Sequence, residues 1–246
     1  MESINASKGL LNFSKNNFLS DCTVFLKSSN NYIPCHKVIL ASASKYLKSI
    51  FENEKEFPLK TVNNYNGVIE LPEVLDVNPN NSNSVNYDNI ERTFELFLKY
   101  AYSNQRFELI ESNITFENVF KVLRLSSLLE SEELNEYLAN HISKNKLLNE
   151  KNCCISLKET FPLKNQHLIE KCIELIKENF GNSLLSSTER DSLLCLPFEI
   201  FKRIMESDDL VVNTEIDCCS LILDYIKKRI LIKDEIKVTN KDKVTN

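Results

Sequence analysis

DCTVFLKSSNNYIPCHKVILASASKYLKSIF, residues 21–51, is the stretch that decides the fold. Cys22–Leu26 is a short β-branched and aromatic run that ends in Lys27-Ser28-Ser29-Asn30-Asn31, a turn composition, before a second short run, Tyr32–Cys35. Two strands joined by a polar turn are expected. From His36 onward the apolar residues recur at Ile39, Leu40, Ala43, Tyr46, Leu47, Ile50 and Phe51. Those steps hold one side of a helix, or of two successive helical pieces, against a core.

The rest of the 246-residue chain is 42% hydrophobic and 26% charged, which predicts one or two globular domains rather than disorder. Lys and Arg number 30 against 35 Asp and Glu, so the chain lacks the basic footprint of a nucleic-acid binder and points to a protein partner. Gly9, Gly67 and Gly181 are the only glycines, too few and too scattered for a phosphate-cradling loop. No apolar run approaches the ~18 residues of a membrane helix. The opening MESINASKGLL lacks the charged start and apolar stretch of a secretory signal, so the expected location is cytoplasm or nucleus, away from membranes. Eight cysteines, two pairs of them adjacent at Cys153-Cys154 and Cys218-Cys219, read as reduced thiols packed in helices.

Along the chain, Leu10, Leu11 and Phe13 lie in a weakly amphipathic helix over residues 1–20. Glu52–Glu56 reads as a charged loop and Val68–Leu71 as a strand before Pro72, while residues 77–89 hold six asparagines in thirteen and read as a flexible insertion. Helices are expected at Ile90–Ala101, at Phe116–Leu123 with Thr115 and Asn118 at capping spacing, and at Leu134–Ile142. Beyond Leu147 the pattern is all helical: Leu168–Ile176 with Gly181 as its stop, Phe198–Met205 started by Pro197, and a last helix with Ile216, Cys219, Leu223, Ile226 and Ile230 as its buried face. Thr214 and Asp217 have the spacing of a capping box. Residues 231–246 read as a solvated, flexible tail.

The residues Asp21-Cys22-Thr23-Val24, Cys35-His36-Lys37-Val38-Ile39-Leu40-Ala41-Ser42-Ala43-Ser44, Tyr46-Leu47 and Ile50-Phe51 resemble the signature of the BTB/POZ domain. Leu148-Asn149-Glu150-Lys151-Asn152-Cys153-Cys154-Ile155 and Ser207–Glu215 resemble the BACK domain that follows it in many adaptors, with Tyr225 standing where that family usually has tryptophan. The resemblance implies an α+β fold: a BTB domain over 21–144, a small sheet with helical hairpins, and then an all-α BACK-like domain over 145–230. No kelch-like repeat follows in this sequence, so the propeller that captures substrates in many such adaptors is not expected.

The same resemblance implies a dimer interface at Leu10, Leu11 and Phe13, and a charged pocket holding Asp21 and Lys37. It also implies cullin contact through a hydrophobic-x-glutamate motif and the first BACK helices. Glu54, Glu56, Phe57, Leu147, Leu148 and Ile155 are the candidates here, although no apolar residue stands two places before Glu56. The function implied is a dimeric, non-enzymatic adaptor linking a partner to a cullin-RING ubiquitin ligase. The alternative is a self-associating scaffold that pairs with other BTB proteins without ligase activity. No catalytic, cofactor or metal site is expected: His36, His141 and His167 fit no ligand spacing, and adjacent cysteines do not readily offer both sulfurs to one centre. A Cys–His nucleophile built on His36 is the third and weakest reading.

Overall fold

The computed structural model describes residues 19–27, 29–56, 58–62, 65–71, 88–144, 147–183 and 187–242. The chain divides into two compact units, Met1–Ile142 and Ser143–Asn246.

The first unit is built on strands β1 (Cys22–Leu26) and β2 (Asn31–Cys35), paired antiparallel with Cys22 opposite Cys35 and Val24 opposite Ile33. Helices α1 (Lys37–Ala43) and α2 (Lys45–Glu52) follow as two pieces. The break between them is Ser44, a buried residue in extended conformation. Its hydroxyl accepts the Leu47 N–H at 3.0 Å and donates to the Leu129 carbonyl at 2.5 Å, so one side chain caps α2 and ties it to the end of a distant helix. Strands β3 (Lys60–Val62) and β4 (Tyr65–Glu70) complete a mixed sheet of order β2-β1-β4-β3, with β4 parallel to β1. Gly67 sits on β4 at φ +61°, where a Cβ would come within 3.4 Å of the Asp21 carbonyl, so both conformation and space call for glycine.

Helices α3 (Asp88–Tyr102), α4 (Phe116–Leu128) and α5 (Glu132–Lys144) supply the core, with Phe94, Phe97, Tyr100, Leu123, Leu134 and Leu138 fully buried. Asn118 Oδ1 accepts the Thr115 N–H at 2.9 Å, the return half of the capping box at the start of α4.

Among its described residues the second unit is helical: α6 (Cys153–Thr160), α7 (Gln166–Glu178), α8 (Phe180–Ser183), α9 (Ser187–Cys195), α10 (Phe198–Met205) and α11 (Glu215–Asp242). Its core runs through Cys153, Cys154, Leu157, Leu168, Ile176, Leu193 and Ile204.

Several sequence expectations change. Strand β3 was hidden in a polar stretch, because three residues at a sheet edge leave no alternation to read. Asp88 and Asn89 belong to the first turn of α3 rather than to the asparagine-rich insertion, whose other residues lie outside the described ones. Gly181 does not stop α7, which ends at Glu178 with Asn179 as its cap; it lies within α8, where a Cβ would meet the Asn213 side chain at 2.7 Å. The proposed tail is helical as far as Asp242, since no glycine or proline between residues 231 and 242 interrupts α11.

The largest correction concerns the expected buried face of α11. Ile216, Leu223, Ile226 and Ile230 are 78%, 56%, 49% and 55% exposed, and Cys219 is exposed with them. The residues that pack are Leu221 and Tyr225. Apolar residues surround this helix on almost every side, so periodicity offered two stripes and could not choose between them.

Candidate interaction surfaces

Around Asp21, at the start of β1, three charged side chains come together. The exposed Asp21 carboxylate accepts the backbone N–H of Lys37 at 2.7 Å, satisfying an amide in the first turn of α1 that no helical carbonyl reaches. The Lys37 ammonium goes instead to Glu54, donating to both its oxygens at 2.8 and 2.6 Å. Asp21, Lys37 and Glu54 are thus linked through one residue. Lys37 and Glu54 are partly exposed, so their ion pair is worth about 1 kcal/mol or less.

Behind this cluster, Tyr102 accepts the His36 backbone N–H at 3.1 Å and its hydroxyl lies 2.7 Å from His36 Nδ1. His36 is therefore engaged in holding the start of α1 to the end of α3. Burial, followed by the nearby Asp21 charge, pushes the Cys22 thiol up to about 12, and burial pushes Cys35 up as well. Thiols held protonated beside a tied imidazole do not form an activated nucleophile.

Of the residues implied in cullin contact, Glu54 is held by Lys37 and Glu56 is exposed, while Phe57 lies outside the described residues. In the second unit Leu148 is buried, and Leu147 and Ile155 are half-buried. The expected dimer residues Leu10, Leu11 and Phe13 lie outside the described residues.

Sequence reasoning missed Glu189. This carboxylate is fully buried on α9 and reaches across to α6, where Oε2 accepts the Cys154 N–H at 2.7 Å and Oε1 the Ile155 N–H at 3.4 Å. It serves as the cap of α6, because the side chain of the N-cap residue Asn152 is turned to the preceding loop, bonding the Asn149 N–H and the Leu147 carbonyl. No local signal could reveal a cap from 35 residues away.

The thiols of Cys153 and Cys154 and the Glu189 carboxylate lie within 4.8 Å of one another, so adjacent cysteines do converge here, contrary to the sequence argument. These are the donors that could hold a thiophilic metal. Glu189 is already bound to two amides at the positive end of α6, a setting that favours an anion over a cation. The Cys154 thiol is pushed well above the ordinary thiol range, first by its hydrogen bond with Cys153 and then by burial.

Elsewhere in this unit Tyr225 is buried. It stacks on Phe201 at 3.9 Å and donates its hydroxyl to the Leu196 carbonyl at 2.9 Å. Arg229 lies over the same ring and also donates to the Tyr225 hydroxyl and the Leu196 carbonyl. Arg190 on α9 pairs with Asp224 at 2.6 Å, holding that carboxyl below the usual carboxylate range. With α11 pinned through these contacts, its opposite side is left bare. Beside the pinned Tyr225 and Arg229, an open groove of about 610 Å³ is lined by these two residues, by Pro197 and Phe198 at the start of α10, and by Ile226 and Ile230.

A family model of the BTB/POZ domain matches residues 10–146, more than half of the chain. The chain belongs to the BTB/POZ domain family. It is 23% identical to human (Homo sapiens) Kelch repeat and BTB domain-containing protein 3 over 219 residues, which cover 89% of this chain and 30% of that protein. It is 24% identical to Kelch-like protein 25 of Xenopus laevis over 214 residues, covering 87% of this chain and 31% of that one. With human Kelch-like protein 6 it shares 22% over 201 residues, covering 79% and 26%. The chain spans less than a third of the length of these curated relatives. An alignment of 219 residues cannot fit within residues 10–146, so the likeness runs from the BTB unit into the helical unit.

Proposed function

We propose that this BTB protein is a non-enzymatic interaction adaptor, whose BTB unit dimerises and whose helical unit is BACK-like. Together they link a recruited partner to the cullin scaffold of a ubiquitin ligase. The observation that carries this reading is the likeness to kelch/BTB proteins across both units, rather than over the BTB domain alone. The helical second unit, and Tyr225 packed at the family's tryptophan position, are consistent with a BACK-like fold.

A second reading, a self-associating scaffold without ligase activity, is favoured by the loop after α2. That loop offers acids without the apolar partner of the hydrophobic-x-glutamate motif, and Glu54 is already committed to Lys37.

Calorimetric titration of the full chain with the N-terminal domain of a cullin separates the two. The adaptor reading expects one cullin per chain with sub-micromolar affinity, beyond about −8 kcal/mol. Absence of heat at tens of micromolar overturns it in favour of the scaffold.

A further inference from the structure

The exposed face of α11 presents Ile216, Cys219, Leu223, Ile226 and Ile230, spaced by three, four, three and four residues. That is the a/d spacing of a helix seam made to meet another helix, and it runs about 21 Å along the axis. Contiguous exposed apolar surface of this kind marks an interaction site. We propose that α11 is a self-association element that packs antiparallel on α11 of a second copy of this chain, separately from any pairing of BTB units.

Charge selects both the occupant and the direction. Glu215 and Asp217 stand in the first turn of α11, and Lys227, Lys228 and Arg229 follow three turns later. An antiparallel second copy lays the acidic end of each helix along the basic end of the other, whereas a parallel copy sets like beside like. A uniformly acidic helix would match the basic end and be repelled by Glu215 and Asp217.

The heptad fixes the register as well. With Ile216 against Ile226 of the partner subunit and Cys219 against Leu223 of the partner subunit, Glu215 falls beside the partner's Arg229. Ile222, also exposed, then meets the partner's Ile222. The Arg229 Nε and Nη2 are bonded within the chain, which leaves Nη1 for the carboxylate.

The test is sedimentation velocity of the full chain at tens of micromolar. Leu223→Asp is expected to lower the mass of the wild type to that of the assembly the BTB units hold by themselves, two chains if they pair and one if they do not. The outcome therefore does not depend on the adaptor reading. Cys219→Lys is expected to do the same. Combining the two substitutions in one chain is expected to restore the wild-type mass, because the antiparallel layer sets the new cation against the new anion. Equal masses for wild type and Leu223→Asp overturn the proposal; failure of the double variant to restore association overturns the antiparallel register. Circular dichroism reports whether each variant retains its helices; Leu223→Gln, read the same way, replaces any that does not.

Discussion

Helices α4 and α11 carry apolar residues at the same kind of spacing and meet opposite fates. On α4 the stripe of Val119, Phe120, Val122 and Leu123 is buried, because α3 packs on it from the sequence just before. On α11 the stripe read from Ile216 to Ile230 faces out, while the side carrying Leu221 and Tyr225 packs against α9 and the stretch after it. Periodicity states which residues share a face. It does not state whether the chain itself supplies the cover.

This contrast can be broken most forcefully at equivalent leucines. Leu123→Ala should cost about 2–5 kcal/mol of unfolding free energy, since it empties a packed site. Leu223→Ala should stay within about 0.5 kcal/mol when the chain is dilute. Denaturant unfolding of the two variants side by side measures the difference, and equal losses would place the α11 stripe in the core after all.

A smaller effect sharpens the comparison at the helix caps. Helix α4 is capped from within its own turn, whereas α6 borrows Glu189 from α9. Glu189→Ala strands two amides at the start of α6, Cys154 in a buried site, and should cost on the order of 3 kcal/mol, with the loss concentrated in the second unit. Glu189→Gln keeps an acceptor oxygen and should recover part of it. Thermal unfolding that leaves both variants at the wild-type midpoint would show that the carboxylate caps nothing.

What the sequence disclosed was what is encoded locally. Strands β1 and β2, the Thr115 cap and the start of α10 at Pro197 each depend on residues a few positions apart, whereas one helix or two remained open at Ser44, whose hydroxyl also bonds the distant Leu129 carbonyl. Strand β3 was missed because Lys60–Val62 is short and lies at the sheet edge, and α9 because Ser187–Cys195 is polar for most of its length. At the charged cluster, the family resemblance implied a charged pocket holding Asp21 and Lys37. That Lys37 presents its backbone to Asp21 and its ammonium to Glu54 was not legible, since only the folded path of the chain brings Glu54 there. The same limit hid Glu189.

Cys219 reports directly on whether the chain covers its own α11 seam. Maleimide labelling of the native full chain, followed by peptide mapping, compares it with the buried Cys153 and Cys154. At nanomolar concentration Cys219 should react as fast as a free thiol while Cys153 and Cys154 stay protected, and its protection should rise as the chain is concentrated and copies pair. Protection of Cys219 equal to that of Cys153 at every concentration would mean that the chain buries this face itself, and would contradict the account.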